Sequence, residues 1–267
     1  MSRTRVLLIF GGQSAEHEIS VISARSVCDA IDSSCYEVIR VGITRSGEWF
    51  LDDDQESLLR QDEVTGEGFT RVRLSDVSSD LTDSDGIQLE QTQFEVVFPL
   101  LHGPRGEDGA MQGLLELAGT AYVGAGVAAS AVGMDKELSR AVFATAGLRQ
   151  TEYLVVRRSA WQEKPSSVVR EIEAALKYPL FVKPANLGSS IGISKVPNRE
   201  ALADAMNFAG GYDLKIMVEA SVEQARELEC AVLGNEEVQA SGIGEIIPGA
   251  EFYDYTTKYL DDRSQLI

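Results

Sequence analysis

The sequence predicts an α/β protein whose first part is built on a parallel sheet. Three observations carry this. Apolar runs of strand length, "RVLLIF" (Arg5 to Phe10), "YEVIRVGI" (Tyr36–Ile43) and "FEVVFPLL" (Phe94–Leu101), are separated by segments of helical character. The length, 267 residues, exceeds one simple core and suits two domains or a little more. Hydrophobic residues make up 44%, ordinary for a globular chain, and no apolar run approaches the roughly 18 residues of a membrane span.

The elements follow in order. After the first strand, "GGQSAEHEIS" turns into a helix with Val21, Cys28 and Ile31 at helical spacing and Ile22 beside them. Residues 44–93, between the second and third strands, form an acidic insert rich in Asp, Ser, Gly and Gln. It reads as a solvated surface excursion without chemistry, holding at most a hairpin at Glu48–Leu51. "GAMQGLLELAG" is a helix and "AYVGAG" a short extended piece. From Asp135 a helix, "DKELSRAVFATAG", ends at Gly147 as its C-cap. "EYLVV" is a strand, "SSVVREIEAALK" a helix, and "YPLFVKPANLGSSIGISKV" two strands around a Gly/Ser loop. "NREALADAMNFAGG" is a helix with an Asn cap, and "KIMVEA" a strand. "RELECAVLG" and "VQASGIGEII" read as alternating or buried strands. The domains expected are 1–134, 135–227 and 228–267.

Charge narrows the partners. A formal net charge of −18 argues against nucleic acid or an anionic membrane, both of which need a basic face. An anionic ligand must then be held by a local group of Lys, Arg or backbone N–H. The three cysteines, Cys28, Cys35 and Cys230, form no C-x-x-C pair and suit a reduced compartment. Two histidines, His17 and His102, exclude a histidine-rich metal site. "VLLIF" is too short for a signal-peptide core and no cleavage pattern follows, so a cytoplasmic location is expected.

Six places in the chain are candidates for chemistry. The first turn lacks both G-x-G-x-x-G and the P-loop pattern, and it places Glu16 and Glu18 where a phosphate would meet the helix. A carboxylate there suits a small cation such as an amine; it suits equally an ordinary first-turn helix acid. "LHGPRGEDGAMQG" puts His102 at another strand end. Because open α/β sheets bind ligands beyond their carboxyl edges, Glu16 and His102 are candidates for the two ends of a small zwitterion. "FVKPANLGSSIG" sets Lys183 before a loop of small residues that offers N–H and hydroxyl groups to a phosphate, or is a hairpin with a snorkelling lysine. Lys136 at a helix start works against the macrodipole unless an anion shares the space. Glu219 and Glu227 fit an adenine amine and a ribose hydroxyl, or are two surface acids among 42. "GAEFYDYTTKYLDD" has the aromatic-polar texture of a lid, or of a hairpin edge.

Together these stretches resemble the D-alanine–D-alanine ligases of the ATP-grasp superfamily. The likeness runs from "GGQSAEHEIS" through "LLHGPRGEDGAMQGLLELAG", "YVGAGVAASAVGMDK", "YPLFVKPANLGSSIG" and "ELECAVLG" to "FYDYTTKYLDD". It implies an ATP-grasp fold preceded by a Rossmann-like parallel-sheet domain, with an incomplete C-terminal domain. It implies that ATP phosphorylates the carboxylate of one D-alanine and the amine of a second attacks, giving a dipeptide for peptidoglycan synthesis. Glu16 would hold the first amine and His102 lie near its carboxylate. Glu16, Ser189 and Tyr253 would form a hydrogen-bonded set. Lys136 and Lys183 would contact ATP phosphates, Lys258 the γ-phosphate, and Glu219 and Glu227 adenine and ribose. The form "FYDYTTKY" favours D-alanine over D-lactate as second substrate, and the likeness admits a homodimer through the first domain.

The resemblance also implies a carboxyl-terminal segment with an Arg and the Asp, Glu and Asn ligands of two Mg²⁺ ions. "LDDRSQLI" offers no substitute, since Asp261 and Asp262 belong to the lid motif. The expectation is a chain that is part of a longer enzyme and inactive alone; a non-catalytic D-alanine- or nucleotide-binding module is the alternative.

Overall fold

Five successive apolar residues, Val6 to Phe10, need cover on both faces, and the fold supplies it. The computed structural model describes residues 3–52, 58–75, 79–247 and 265–266. The chain divides into two compact units, Met1–Ser139 and Arg140–Ile267.

In the first unit β1 (Thr4–Gly11) leads through a glycine turn to α1 (His17–Ala30) and on to β2 (Tyr36–Ile43). Next come β3 (Trp49–Leu51), a single 3-10 turn (Leu58–Arg60), β4 (Thr70–Leu74) and β5 (Leu81–Thr82). The unit continues with β6 (Val96–Pro99), α2 (Ala110–Leu117) and α3 (Val127–Met134). The sheet order is β5-β4-β3-β2-β1-β6. β1 lies between two parallel neighbours, with Val6 opposite Val38 on one side and Val96 on the other. β3, β4 and β5 add on antiparallel.

Side chains alternate across a strand. Leu7 and Ile9 therefore join one core, while Leu8 and Phe10 join another beneath Val21 and Ala24 of α1.

The acidic insert departs from its expected role. It extends the sheet by three strands, of which β3 makes the anticipated hairpin with β2, and it feeds both cores. Leu58, Leu59 and Val64 pack with Leu8 and Phe10; Val72 and Leu81 pack with Leu7 and Ile9. Two of its acids are buried as well. Asp52 pairs with Arg40 at 3.3 Å, and Asp80 accepts hydrogen bonds from the Leu81 N–H (2.8 Å) and the Thr92 hydroxyl (2.5 Å). The few apolar residues are spaced widely enough that average composition conceals them.

α4 (Lys136–Thr145) spans the boundary between the units. The second unit then runs through β7 (Tyr153–Arg157), α5 (Arg158–Glu163), α6 (Pro165–Ala175), β8 (Leu180–Pro184), β9 (Ser194–Val196), α7 (Arg199–Tyr212) and β10 (Lys215–Ala220). The antiparallel sheet order is β7-β10-β8-β9. Leu202, Ala205, Met206 and Ala209 of α7, at helical spacing, share a core with Leu180, Val182, Ile216 and Val218. The Asn198 side chain accepts from the Ala201 N–H at 3.3 Å, the N-cap read from sequence. Gly147, at φ +74°, ends α4 as expected.

Four short strands follow: β11 (Glu227–Glu229), β12 (Val232–Leu233), β13 (Gln239–Ala240) and β14 (Gly244–Ile247), the last pairing with Gln265–Leu266. They form, but they are neither the alternating nor the buried strands expected. Val232 and Leu233 are exposed, and within 227–247 Ile246 alone is buried.

Candidate functional sites

The carboxyl ends of the parallel neighbours β1 and β6 meet at one edge of the first sheet, where an open α/β fold binds its ligand. The turn after β1 is held from several directions. Gly12 N–H donates to the Ile43 carbonyl (2.8 Å) and Gly11 N–H to Ser20 Oγ (2.8 Å). The Ser20 hydroxyl donates to the Leu100 carbonyl at 2.5 Å. Ser14 Oγ donates to the His102 carbonyl (2.7 Å) and accepts from Glu16 N–H (3.1 Å). The strand end carrying His102 and the turn carrying Glu16 are thus stitched together through Ser14. The His102 ring is set by a contact of 2.9 Å between Nε2 and Ser23 Oγ.

The structure separates two acids that the sequence left alike. Glu16 is 2% exposed, directly before α1, whereas Glu18 pairs with Arg45 at the surface. Partial burial pushes the Glu18 carboxyl up, but the bond from Arg45 and the adjoining charges outweigh it and leave it below the usual carboxylate range. Gly103, at φ +72°, lies against the Glu16 carboxylate, and a Cβ there would collide with Oε2. The cavity beside this turn, lined by Gly11, Gly12, Gln13, His102 and Arg105 among others, holds ≈ 80 Å³. About 10–15 Å³ of such space holds one water, so the cavity suits a ligand of a few heavy atoms and not a nucleotide.

The second unit has a larger cavity, ≈ 660 Å³, within the range of small-molecule sites. Strand register builds its floor. Glu219 of β10 stands opposite Phe181 of β8, which stands opposite Lys195 of β9, and all three line the space with Arg140, Thr151 and Glu227. Glu219 is buried and bridges two cations, Lys183 on one oxygen and Arg140 on the other, with Thr151 Oγ1 at 3.4 Å. Lys183 reaches it diagonally across neighbouring strands. Arg140 also lies over the Tyr153 ring, 4.8 Å from its centroid.

Lys183, Glu219 and Glu227 therefore fall together. Ser189 lies in the loop between β8 and β9, where Ser189 and Ser190 take φ of +46° and +57°. Such left-handed residues cost roughly 1–2 kcal/mol each. Asn186 fixes the loop's base through two hydrogen bonds to Asp213, of 2.7 and 2.9 Å. Lys136 opens α4 as read. Asp135 caps the same helix start, its Oδ1 accepting from the N–H groups of Glu137 (3.0 Å) and Leu138 (3.2 Å). Tyr253 and Lys258, the lid residues, lie outside the described residues.

Sequence reasoning missed Arg140, Thr151, Phe181, Lys195 and His17. Phe181 was within reach, because it lies two positions before Lys183 on a strand and so shares its face. Arg140 and Thr151 carry no local signal.

Two family models match. One described as "D-ala D-ala ligase N-terminus" covers residues 5–125, and one described as "D-ala D-ala ligase C-terminus" covers 142–267. A D-alanine--D-alanine ligase of Chloroherpeton thalassium is 44% identical over 100% of this chain and 74% of its own length. One of Enterococcus gallinarum is 43% identical over 98% and 80%. Among solved structures, the VanG D-Ala:D-Ser ligase of Enterococcus faecalis aligns with a TM-score of 0.81 at 34% identity, over 99% of this chain and 76% of that one. The D-alanyl-alanine synthetase A of Vibrio cholerae aligns with a TM-score of 0.79 at 30% identity, over 100% and 74%. The chain thus spans about three-quarters of the length of the relatives it matches, and with both family models matching along it, it belongs to the D-alanine–D-alanine ligase family.

Proposed function

We propose that this protein joins two D-alanines at the expense of ATP, making the dipeptide used in peptidoglycan precursor synthesis. The observation that supports this reading is the division of labour between sites: a cavity for a few heavy atoms lined by His102 and the glycine turn that leads to the buried Glu16, and a nucleotide-sized cavity floored by charged and aromatic groups.

The chain's own groups account for binding and orientation. Glu16 accepts hydrogen bonds from the ammonium of the first D-alanine, with His102 toward its carboxylate. Phe181 offers an apolar wall to a base; Glu219 and Glu227 accept from its amine and from ribose hydroxyls. Lys183, Lys136 and Lys195 neutralise phosphate charge, and the Ser189 loop contributes donors. ATP, when bound, supplies the phosphoryl group that activates a carboxylate. Positioning and charge neutralisation are what such a transfer asks of a protein. Among the described residues no group of three His, Cys, Asp or Glu is placed to hold a metal ion. A cytoplasmic location and a homodimer through the first unit accompany the reading; among the described residues no helix is long and apolar enough to cross a membrane.

The test uses protein purified from its source cells. Phosphate release from ATP should require D-alanine and yield the dipeptide. Turnover driven as well by D-serine or D-lactate at neutral pH would overturn the choice of second substrate. Turnover driven by an unrelated amine, and not by D-alanine, would overturn the function.

A further inference from the structure

His17 is fully buried, and nothing in the binding scheme above uses it. Both ring nitrogens are engaged. Nε2 accepts the N–H of Val64 at 2.9 Å, which leaves Nδ1 as the protonated nitrogen, donating to the Gly12 carbonyl at 2.6 Å. The ring therefore connects the acidic insert to the glycine turn through two hydrogen bonds. The fit is close: a Cβ on Gly11 would stand 3.0 Å from His17 Cε1 and 3.1 Å from Val64 Cγ2.

A second tie runs in parallel. Arg45 donates to the Ser14 carbonyl at 3.2 Å and pairs with Glu63 at 3.4 Å, the residue before Val64. The insert is itself anchored to α1, because Arg25 donates to the carbonyls of Leu59 and Gln61. Gly12 and Ser14 thus each have their carbonyl fixed by a side chain that also grips residues 63–64. These two residues bracket the approach to Glu16.

We infer that the insert is a positioning element of the amino-acid cradle, acting through His17 and Arg45 on the turn that carries Glu16. His17 is a positioning residue, since it reaches the substrate only through the turn. The inference rests on the cradle's being the D-alanine site.

The test compares His17→Phe, which removes both hydrogen bonds, with His17→Gln, which offers one donor and one acceptor. Arg45→Met, at a half-exposed position, serves should His17→Phe fail to fold. Two quantities are read on the full chain: amide hydrogen exchange at residues 12–16, and affinity for D-alanine and separately for ATP by titration calorimetry. In His17→Phe, exchange at the turn should rise and D-alanine affinity fall about tenfold, which corresponds to about 1.4 kcal/mol. ATP affinity should hold. His17→Gln should recover most of the loss, and Arg45→Met should show a smaller one. Unchanged exchange at the turn, or ATP affinity falling in step with D-alanine affinity, overturns the inference. A parent protein that ignores D-alanine would overturn the functional reading instead, while the exchange result would still decide whether the tie exists.

Discussion

The cradle around Glu16 and the cavity around Glu219 both depend on a buried carboxylate, but they place it by different means. Glu16 is positioned by chain geometry: a turn held by Ser14, Ser20 and His17, and a glycine at position 103 that leaves room for its oxygens. Glu219 is positioned by charge, between Lys183 and Arg140. A small zwitterion needs a cavity of fixed shape, since it has few atoms with which to be recognised. A polyphosphate needs cations, and cations held ready in a partly buried site need a counter-ion until the ligand arrives.

The largest effect should come from the charged site. Glu219→Ala strands two largely buried cations, whose side chains are 16% and 18% exposed. Loss of one partner from such a set costs about 3–5 kcal/mol, and we expect urea unfolding to report it. A variant as stable as the parent would mean that charge does not organise this site.

Asp80→Ala tests whether the insert is core. It leaves the buried Leu81 N–H without its side-chain acceptor, for about 2 kcal/mol, while the Thr92 hydroxyl can still donate to the Leu89 carbonyl at 2.9 Å. A change within measurement error would restore the view of the insert as a passive excursion.

Gly103→Ala probes the geometric site. A side chain in left-handed backbone costs roughly 1–2 kcal/mol, and its Cβ displaces the Glu16 carboxylate. D-alanine affinity should fall while ATP affinity is retained; equal loss of both would break the distinction between the sites.

The smallest effect belongs to Tyr178, away from both carboxylates. Burial pushes its phenol up to about 12, and the bond to Glu173 adds to this. An acid whose native pKa is raised holds its proton more tightly when folded. Its contribution is therefore complete below the unfolded value near 10 and is lost as pH rises through about 12. Spectrophotometric titration should lose one late-titrating phenol in Tyr178→Phe, with stability at neutral pH little changed.

Much of the fold is legible from local pattern. The apolar run from Val6 to Phe10, the caps at Asn198 and Gly147 and the loop between β8 and β9 follow from short-range rules: alternation, side-chain capping and glycine's access to positive φ. The order of the motifs determined the family, because several long stretches in sequence constrain far more than any one of them.

Only the tertiary structure decided which polar residues matter. Glu16 and Glu18 both read from the sequence as first-turn acids, but the structure buries Glu16 just before α1 and pairs Glu18 with Arg45. Glu219 and Lys183 are 36 residues apart, joined by strand register. His17 and Val64 lie 47 apart, and the insert's composition hides the valine that packs against the turn. Burial and long-range pairing are properties of the assembled chain, set by which surfaces meet, and no local window of sequence contains them.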